Sequence, residues 1–372
     1  MNVMTYRDSG MFTQLRDSMI PFLESWVEKR GKKFRFMEVC GTHTVSFSKT
    51  GIRELLTPFV DLISGPGCPV CVTDQSDMDH MIAYAREKDI IIASFGDMIK
   101  VPGSVSTLSR EREEGADVRI VYSASGAVEI ARQNRDKIIV MLGIGFETTA
   151  PGIALAIHQA HREKCKNFYV YSAHKMTPPA VQEIIRDQEH EIDGFLLPGH
   201  VSVIIGRQGW RFLEGKRPAV IGGFEPIDLL TSVYLLAKGI ISEKMEVINY
   251  YPRFVKEEGN VRALEILHTT FQTSNARWRG FGEIPDSGFA LASAYHSYDA
   301  SKMLPVRLPK IKTIKGCRCG EIVKGKEKPS QCKLFAKVCT PDNPVGPCMV
   351  SSEGTCSTYY HYEKDAEMVN RK

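Results

Sequence analysis

From residue 34 onward, short apolar runs alternate with longer amphipathic stretches, and this alternation constrains the fold more than any other feature. The runs are Phe34–Val39, Phe59–Ser64, Ile90–Phe95 and Val118–Ser123, then Ile138–Gly143, Phe168–Ser172, Ile192–Leu197 and Ala219–Gly222. They recur every 20 to 30 residues or so, about the length of one strand and its covering helix. Such a pattern predicts parallel sheets with helices on both faces. The runs form two similar sets of four. The expected fold class is therefore α/β: two tandem parallel-sheet α/β domains of similar architecture, residues 34–133 and 134–240. A mainly helical or irregular, cysteine-rich third domain is expected from residues 1–33 together with 241–372.

The flanks read differently. Met11, Leu15, Met19, Phe22, Leu23, Trp26 and Val27 recur at helical spacing, and Gly31 is a stop signal. Helices are expected at Ile227–Lys238 and Val255–Thr273, then an irregular stretch from Arg277 to Pro309. Residues 316–362 are rich in cysteine, glycine, proline and lysine, with too few apolar groups for a core of their own. Metal or disulfide usually holds such a segment. The charged last residues are expected to fray.

Composition narrows the function classes. The chain is 43% apolar and 25% charged, which excludes disorder over most of its length. A net charge of +4 gives no drive toward nucleic acid. No run reaches the ~18 apolar residues of a membrane span, and the start, Met-Asn-Val-Met-Thr-Tyr-Arg-Asp, lacks a signal-peptide pattern. A cytoplasmic protein that stays off membranes is expected. In a reducing compartment, ten cysteines point to metal binding or redox chemistry.

Ligands of parallel sheets sit beyond the carboxyl ends of the strands, and reactive groups cluster there. Cys40-Gly-Thr42-His43-Thr44 and Gly65-Pro-Gly-Cys68-Pro-Val-Cys71 follow the first two runs. Phe146-Glu147-Thr148-Thr149-Ala-Pro151, His174, Pro198-Gly-His200-Val201 and Glu225 follow later ones. Cys40 should start a helix, where backbone N–H groups favour a thiolate. Cys68 and Cys71 suit a reversible dithiol or half of a metal site. Because the first two strands of a parallel sheet are often neighbours, all three sulfurs are expected at one crevice with His43. Glu147, His174, His200 and Glu225 are crevice candidates that compete with capping and turn roles.

Six further cysteines, Cys317, Cys319, Cys332, Cys339, Cys348 and Cys356, crowd the C-terminal segment. A C-x-C followed by long gaps fits a zinc ribbon poorly. An iron–sulfur cluster takes four thiolates at irregular spacing and leaves two to pair beside it; zinc and structural disulfides remain open from spacing alone. The chain has no G-x-x-x-x-G-K-[ST] phosphate loop and no G-x-S-x-G elbow. Gly143-Ile-Gly145-Phe-Glu-Thr148 has threonine where a dinucleotide fingerprint needs its third glycine.

Together, Cys40-Gly-Thr-His-Thr44, Gly65-Pro-Gly-Cys-Pro-Val-Cys71, Phe146-Glu-Thr-Thr-Ala-Pro151, Pro198-Gly-His-Val201 and the cysteine array resemble the HypD family of hydrogenase maturation proteins over nearly the whole chain. The resemblance implies a scaffold that assembles the Fe(CN)₂CO group of [NiFe]-hydrogenases, with redox activity rather than conventional turnover. It implies a monomer that enters heteromeric complexes, with a small HypC-type chaperone adding its own cysteine to the iron and a HypE-type protein donating cyanide. Cys40 would hold the transient iron. The family spacing C-x14-C-x6-C-x16-C falls on Cys317, Cys332, Cys339 and Cys356 and implies a [4Fe–4S] cluster there. Cys319 and Cys348 match the thiol pair beside it. Cyanide transfer needs two electrons per ligand, and a relay from the cluster through Cys319/Cys348 and Cys68/Cys71 toward Cys40 would store them. The same thiols also suit an iron–sulfur-dependent protein disulfide reductase, which would lack infrared bands of bound cyanide and carbonyl.

Overall fold

The computed structural model describes residues 6–187, 191–310 and 315–364. In chain order the elements are α1 (Ser9–Arg30), β1 (Phe34–Glu38), α2 (Gly41–Lys49), α3 (Ile52–Leu56), β2 (Val60–Ser64), α4 (Pro69–Val72) and α5 (Gln75–Ala85). Then come β3 (Ile90–Ser94), α6 (Leu108–Glu113), β4 (Asp117–Ile120), α7 (Ala124–Gln133), β5 (Ile138–Gly143), α8 (Ala150–Arg162), β6 (Phe168–Ser172) and α9 (Thr177–Arg186). The chain continues through β7 (Gly194–Pro198), α10 (Gly199–Ile205), β8 (Ala219–Gly222), α11 (Pro226–Ile241), β9 (Val247–Asn249) and α12 (Val261–Thr270). It ends with β10 (Phe271–Trp278), β11 (Gly282–Leu291), α13 (Ala300–Met303), α14 (Cys319–Val323), α15 (Pro347–Val350) and α16 (Thr355–Tyr362).

Each of the eight apolar runs contains a strand, and both main sheets are parallel, as the alternation predicts. The strands do not group in tandem. One sheet has the order β2-β1-β7-β8-β9 and the other β4-β3-β5-β6. The second sheet is thus inserted between β2 and β7 of the first. Residues 34–133 and 134–240 each contribute to both sheets, which corrects the tandem division. The period of an apolar run reports that a strand is buried on both faces. It carries no information about which strand it pairs with.

The proposed third domain also divides differently. Helix α1 packs on α11 and buries Met19 and Leu23 among Phe34, Phe36, Phe47, Leu229 and Val233, so it belongs to the first sheet's outer layer. Asp8 caps it by accepting from the Met11 N–H at 2.7 Å, and Gly31 ends it in the left-handed conformation at φ 66°. Strand β9 extends the first sheet, while α12 packs on α8 and the β10–β11 hairpin on α9. That antiparallel hairpin lies largely where irregular chain was expected. The C-terminal segment packs against α2 and α4. Its Ile322, Val323, Phe335, Met349 and Tyr359 join the same core as Met37, Val72 and Leu197. The expected fraying of the last residues falls largely on 365–372, outside the described residues.

Candidate functional site: a thiol crevice at the end of the first sheet

Strand β1 delivers Cys40 to the N-terminus of α2, where it is the capping residue in extended conformation. The N–H groups of His43 and Thr44 donate to the Cys40 carbonyl at 3.1 and 3.3 Å. A helix terminus favours a thiolate, but here the opposite effect wins. Cys40 is 8% exposed. Burial, and after it the negative charge of Glu353, push its thiol up to about 11, against hydrogen bonds from Thr42 and His43 that favour the thiolate. The expectation of an activated Cys40 thiolate is corrected on this point.

Strands β1 and β2 are neighbours in register from Phe34↔Val60 to Glu38↔Ser64. The loop after β2 therefore falls beside the loop after β1. The Gly41 N–H donates to the Gly67 carbonyl at 3.1 Å. A Cβ on Gly67 would lie 2.4 Å from the Cys40 Cα, so only glycine permits this approach. The next residue, Cys68, caps α4 and forms a disulfide with Cys71, their Cα atoms 5.2 Å apart. Oxidised Cys68–Cys71 thus stands against the backbone of Cys40.

Helix α4 packs in turn on α14 and α15. These carry Cys319 and Cys348, whose sulfurs are 2.9 Å apart. Contacts with Cys317 first and Cys348 second hold the Cys319 thiol well below its ordinary range, while Cys319 and Cys356 push the Cys348 thiol well above. All six C-terminal cysteines line one small pocket, walled by Ile322, Leu334, Phe335 and Met349. The Val345 N–H points at the Cys339 sulfur at 3.3 Å. Among the described residues no three Cys, His, Asp or Glu side chains converge as ligands of a single ion; the thiols surround a space instead. Four or more thiols around an apolar pocket, with N–H donors to sulfur, are a donor set that suits an iron–sulfur cluster. A cavity of about 740 Å³ lies elsewhere, beside β2 among Lys32, Arg35, Arg53 and Tyr362.

The loop between α15 and α16 closes the arrangement. Thr42 Oγ1 donates to Glu353 Oε1 at 2.6 Å. A Cβ on Gly41 would meet the Glu353 carbonyl at 2.5 Å. Glu353 is a site residue that the sequence reading passes over; its one signal was a carboxylate within the cysteine array. Glu38 and Arg53 are also missed. Glu38 is fully buried, accepts from Arg53 at 2.6 and 2.8 Å, and accepts from Thr44 Oγ1 at 2.7 Å, which anchors α2 to β1.

The remaining candidates separate into two groups. His43 is buried and stacks on Phe224 at 4.6 Å, and Phe224 stacks on solvent-accessible His200 at 4.2 Å. His43 Nε2 lies 3.0 Å from the Gly223 carbonyl, which can only accept, so Nε2 carries the proton. Its Nδ1 is buried and has no hydrogen-bond partner among the described residues, and burial lowers the ring to about 4, which keeps it neutral. Three strand ends of the first sheet, after β1, β7 and β8, thus bring His43, His200 and Phe224 together in one stack.

The second sheet's candidates have other work. Glu147 is buried and accepts from the Thr177 N–H at 2.7 Å and hydroxyl at 2.9 Å, which caps α9; burial raises it to about 7. His174 hydrogen-bonds Ser172 at 3.0 Å through Nδ1, and burial lowers it to about 3. Thr149 occupies the N-terminal cap position of α8 without a side-chain capping bond, and Thr148 faces solvent. Glu225 caps α11 and pairs with Arg7 at 2.5 Å, so it leaves the crevice for a capping and surface-pairing role. None of the hydrogen bonds of these residues reaches Cys40 or Cys68.

Residues 16–363 match the model of the family described as "HypD: Hydrogenase formation hypA family". The hydrogenase maturation factor HypD2 of Bradyrhizobium diazoefficiens is 40% identical over 351 residues, covering 92% of each chain. The hydrogenase maturation factor HypD of Cupriavidus necator is 40% identical over 351 residues, covering 91% of this chain and 93% of its own. That of Escherichia coli is 38% identical over 336 residues and 90% of each chain.

Proposed function

This chain belongs to the HypD family of hydrogenase formation proteins, and from that membership we propose that it is the scaffold on which the Fe(CN)₂CO group of a [NiFe]-hydrogenase is assembled. Cys40 holds the incoming iron from this side, and a HypC-type chaperone supplies a second thiolate. A HypE-type partner delivers cyanide. Soft thiolates suit a low-valent iron with strong-field ligands. What supports the reading is one juxtaposition: Cys40, the Cys68–Cys71 disulfide and the close Cys319/Cys348 pair succeed one another through α2, α4 and α14–α15.

Cys317, Cys332, Cys339 and Cys356 suit a [4Fe–4S] cluster, which supplies single electrons when bound. The chain's own thiols do the rest. A Cys319 thiolate attacks the Cys68–Cys71 disulfide, Cys348 resolves the mixed disulfide, and two protons pass to the released sulfurs. The outcome is a Cys68/Cys71 dithiol and a Cys319–Cys348 disulfide, with two electrons moved one layer toward Cys40. The deep burial of Cys40 keeps it a protonated, unreactive thiol until a metal displaces the proton. The neutral His43 ring, three residues along α2, keeps a buried Nδ1 lone pair with no hydrogen-bond partner among the described residues. The names of the relatives favour this role over a general disulfide reductase.

The test is infrared spectroscopy of the chain isolated anaerobically with its HypC-type partner, alongside iron and sulfide analysis. Cyanide and carbonyl stretching bands are expected in the wild type. Cys40→Ala should abolish them with iron and sulfide in the C-terminal pocket retained. Absence of bands from a fully loaded wild-type complex would refute the scaffold role.

A further inference from the structure

The scaffold reading requires electrons to enter from outside, and the chain's charge is distributed unevenly with respect to that need. Residues 315–350 hold seven of the 48 lysines and arginines but three of the 44 acidic residues, an excess equal to the net charge of the entire chain. Four of the seven are engaged: Arg318 with Glu327, Lys324 with Glu321, Lys326 with Asp187 and Lys328 with Asp61. Lys315, Lys333 and Lys337 are exposed and have no ion-pair partner among the described residues.

Their position matters more than their number. The loop from Cys332 to Cys339 is the outer wall of the cysteine pocket. Cys332, Leu334, Phe335 and Cys339 turn inward to line it. Lys333, Lys337 and Val338 turn out to solvent, Val338 being 55% exposed. The inner wall faces the opposite way: α14 and α15 press on α4 and its disulfide. One side of the pocket therefore looks at the internal disulfide, and the other looks at water through a single layer of chain bearing free cations around an exposed apolar side chain.

We propose that this outer face is the docking surface for a small acidic one-electron carrier protein of the ferredoxin type; the inference rests on the cluster reading given above. An exposed valine on a loop whose lysines lack ion-pair partners among the described residues fits the small, transient, electrostatically steered interfaces of electron carriers. Each encounter oxidises the carrier by one electron. Two encounters and two protons from solvent account for reduction of one Cys68–Cys71 disulfide to two thiols.

The experiment uses the full chain, anaerobically loaded with iron and sulfide, and a reduced acidic ferredoxin in stopped flow. The triple variant Lys315→Glu/Lys333→Glu/Lys337→Glu should slow the second-order rate at least about tenfold at low salt, and the wild-type rate should fall steeply with added salt. Reduction by methyl viologen radical, a small cation, should not slow. Calorimetric affinity for oxidised ferredoxin should fall in parallel with the transfer rate. The milder Lys333→Gln/Lys337→Gln variant should lie between, which separates steering from damage to the loop. Equal rates and affinities in wild type and triple variant would overturn the proposal. So would tighter binding of single-stranded RNA than of ferredoxin, since the face would then be a general polyanion surface. If the wild type retains no iron and sulfide, the cluster reading fails, while the ferredoxin affinities still decide whether this face docks an acidic protein.

Discussion

Replacing Arg53 by methionine removes the cation that holds the buried Glu38 carboxylate, and the size of the loss can be worked out from the contacts. Arg53 Nη2 donates to both Glu38 oxygens, Nη1 donates to the Leu62 carbonyl at 3.0 Å, and Nε lies 2.9 Å from Glu363. The Arg53 and Glu38 side chains are 9% and 0% exposed, so water cannot replace the lost donors. After the substitution Glu38 keeps only the Thr44 hydroxyl at 2.7 Å and the Ser64 hydroxyl at 3.4 Å. Stranding one partner of a buried pair costs about 3–5 kcal/mol, far above the value of about 1 kcal/mol at most for an exposed pair. The loss should be local to β1, β2, α2, α3 and the end of α16, because these are the elements the network joins. The assay is native-state hydrogen exchange by mass spectrometry on peptides spanning β1, whose opening free energy should fall by that amount. Adding Glu38→Leu to Arg53→Met should recover most of it, since no charge is then left unpaired. A loss below about 1 kcal/mol in the single variant, or no recovery in the double, would refute the assignment of this pair as the tie between β1 and α3.

Two other substitutions test the geometry directly. Burial raises the Glu147 carboxyl to about 7 in the folded chain, so the stability it lends is complete below the ordinary carboxylate range and is lost as pH rises through 7. Glu147→Gln should therefore match the wild type near pH 5 and exceed it by about 2–3 kcal/mol at pH 8 in urea titrations, and a difference that does not vary with pH would contradict the sign. Gly67→Ala places a methyl 2.4 Å from the Cys40 Cα. It should cost about 1–3 kcal/mol of overpacking and speed iodoacetamide alkylation of Cys40 under native conditions; unchanged labelling would mean that the two loops are not held against each other.

The strands were legible because their residues are. Ile90-Ile-Ile and Ile138-Ile-Val have β-branched side chains and are buried on both faces. Their partners were not, because β1 accepts β2 on one edge and β7, far along the chain, on the other through contacts that no local period encodes. The β10–β11 hairpin escaped notice for a different reason. In β10 only Phe271 and Trp278 are buried, and the residues between, Gln-Thr-Ser-Asn-Ala-Arg, are exposed or half-buried with no apolar alternation. Cys40, Cys68 and Cys71 could be expected at one crevice because consecutive parallel strands are often neighbours, but the protonation of Cys40 could not be read. The helix terminus is visible in sequence, whereas the burial that overrides it comes from the distant Glu353 loop.

That loop also explains how a segment too poor in apolar groups for its own core can hold six thiols in place. Strand β2 is an edge strand, and an open edge needs a cover. The C-terminal segment supplies it. Gly325, at φ 77°, lies against Ile63 and Met37, and Lys328 pairs with Asp61 of the same strand at 2.9 Å. Beyond the edge, Tyr359 and the Arg53–Glu363 pair seat α16 against α2 and α3, and Thr42–Glu353 fixes the intervening loop to the helix that begins after Cys40. The segment borrows the core of the first sheet instead of building one. The distance from the cysteine pocket to the Cys68–Cys71 disulfide is thereby set by packing between α4, α14 and α15, so the spacing of successive thiol pairs is a property of the polypeptide fold, and loosening the β2 cover should disturb thiol exchange before it disturbs either sheet.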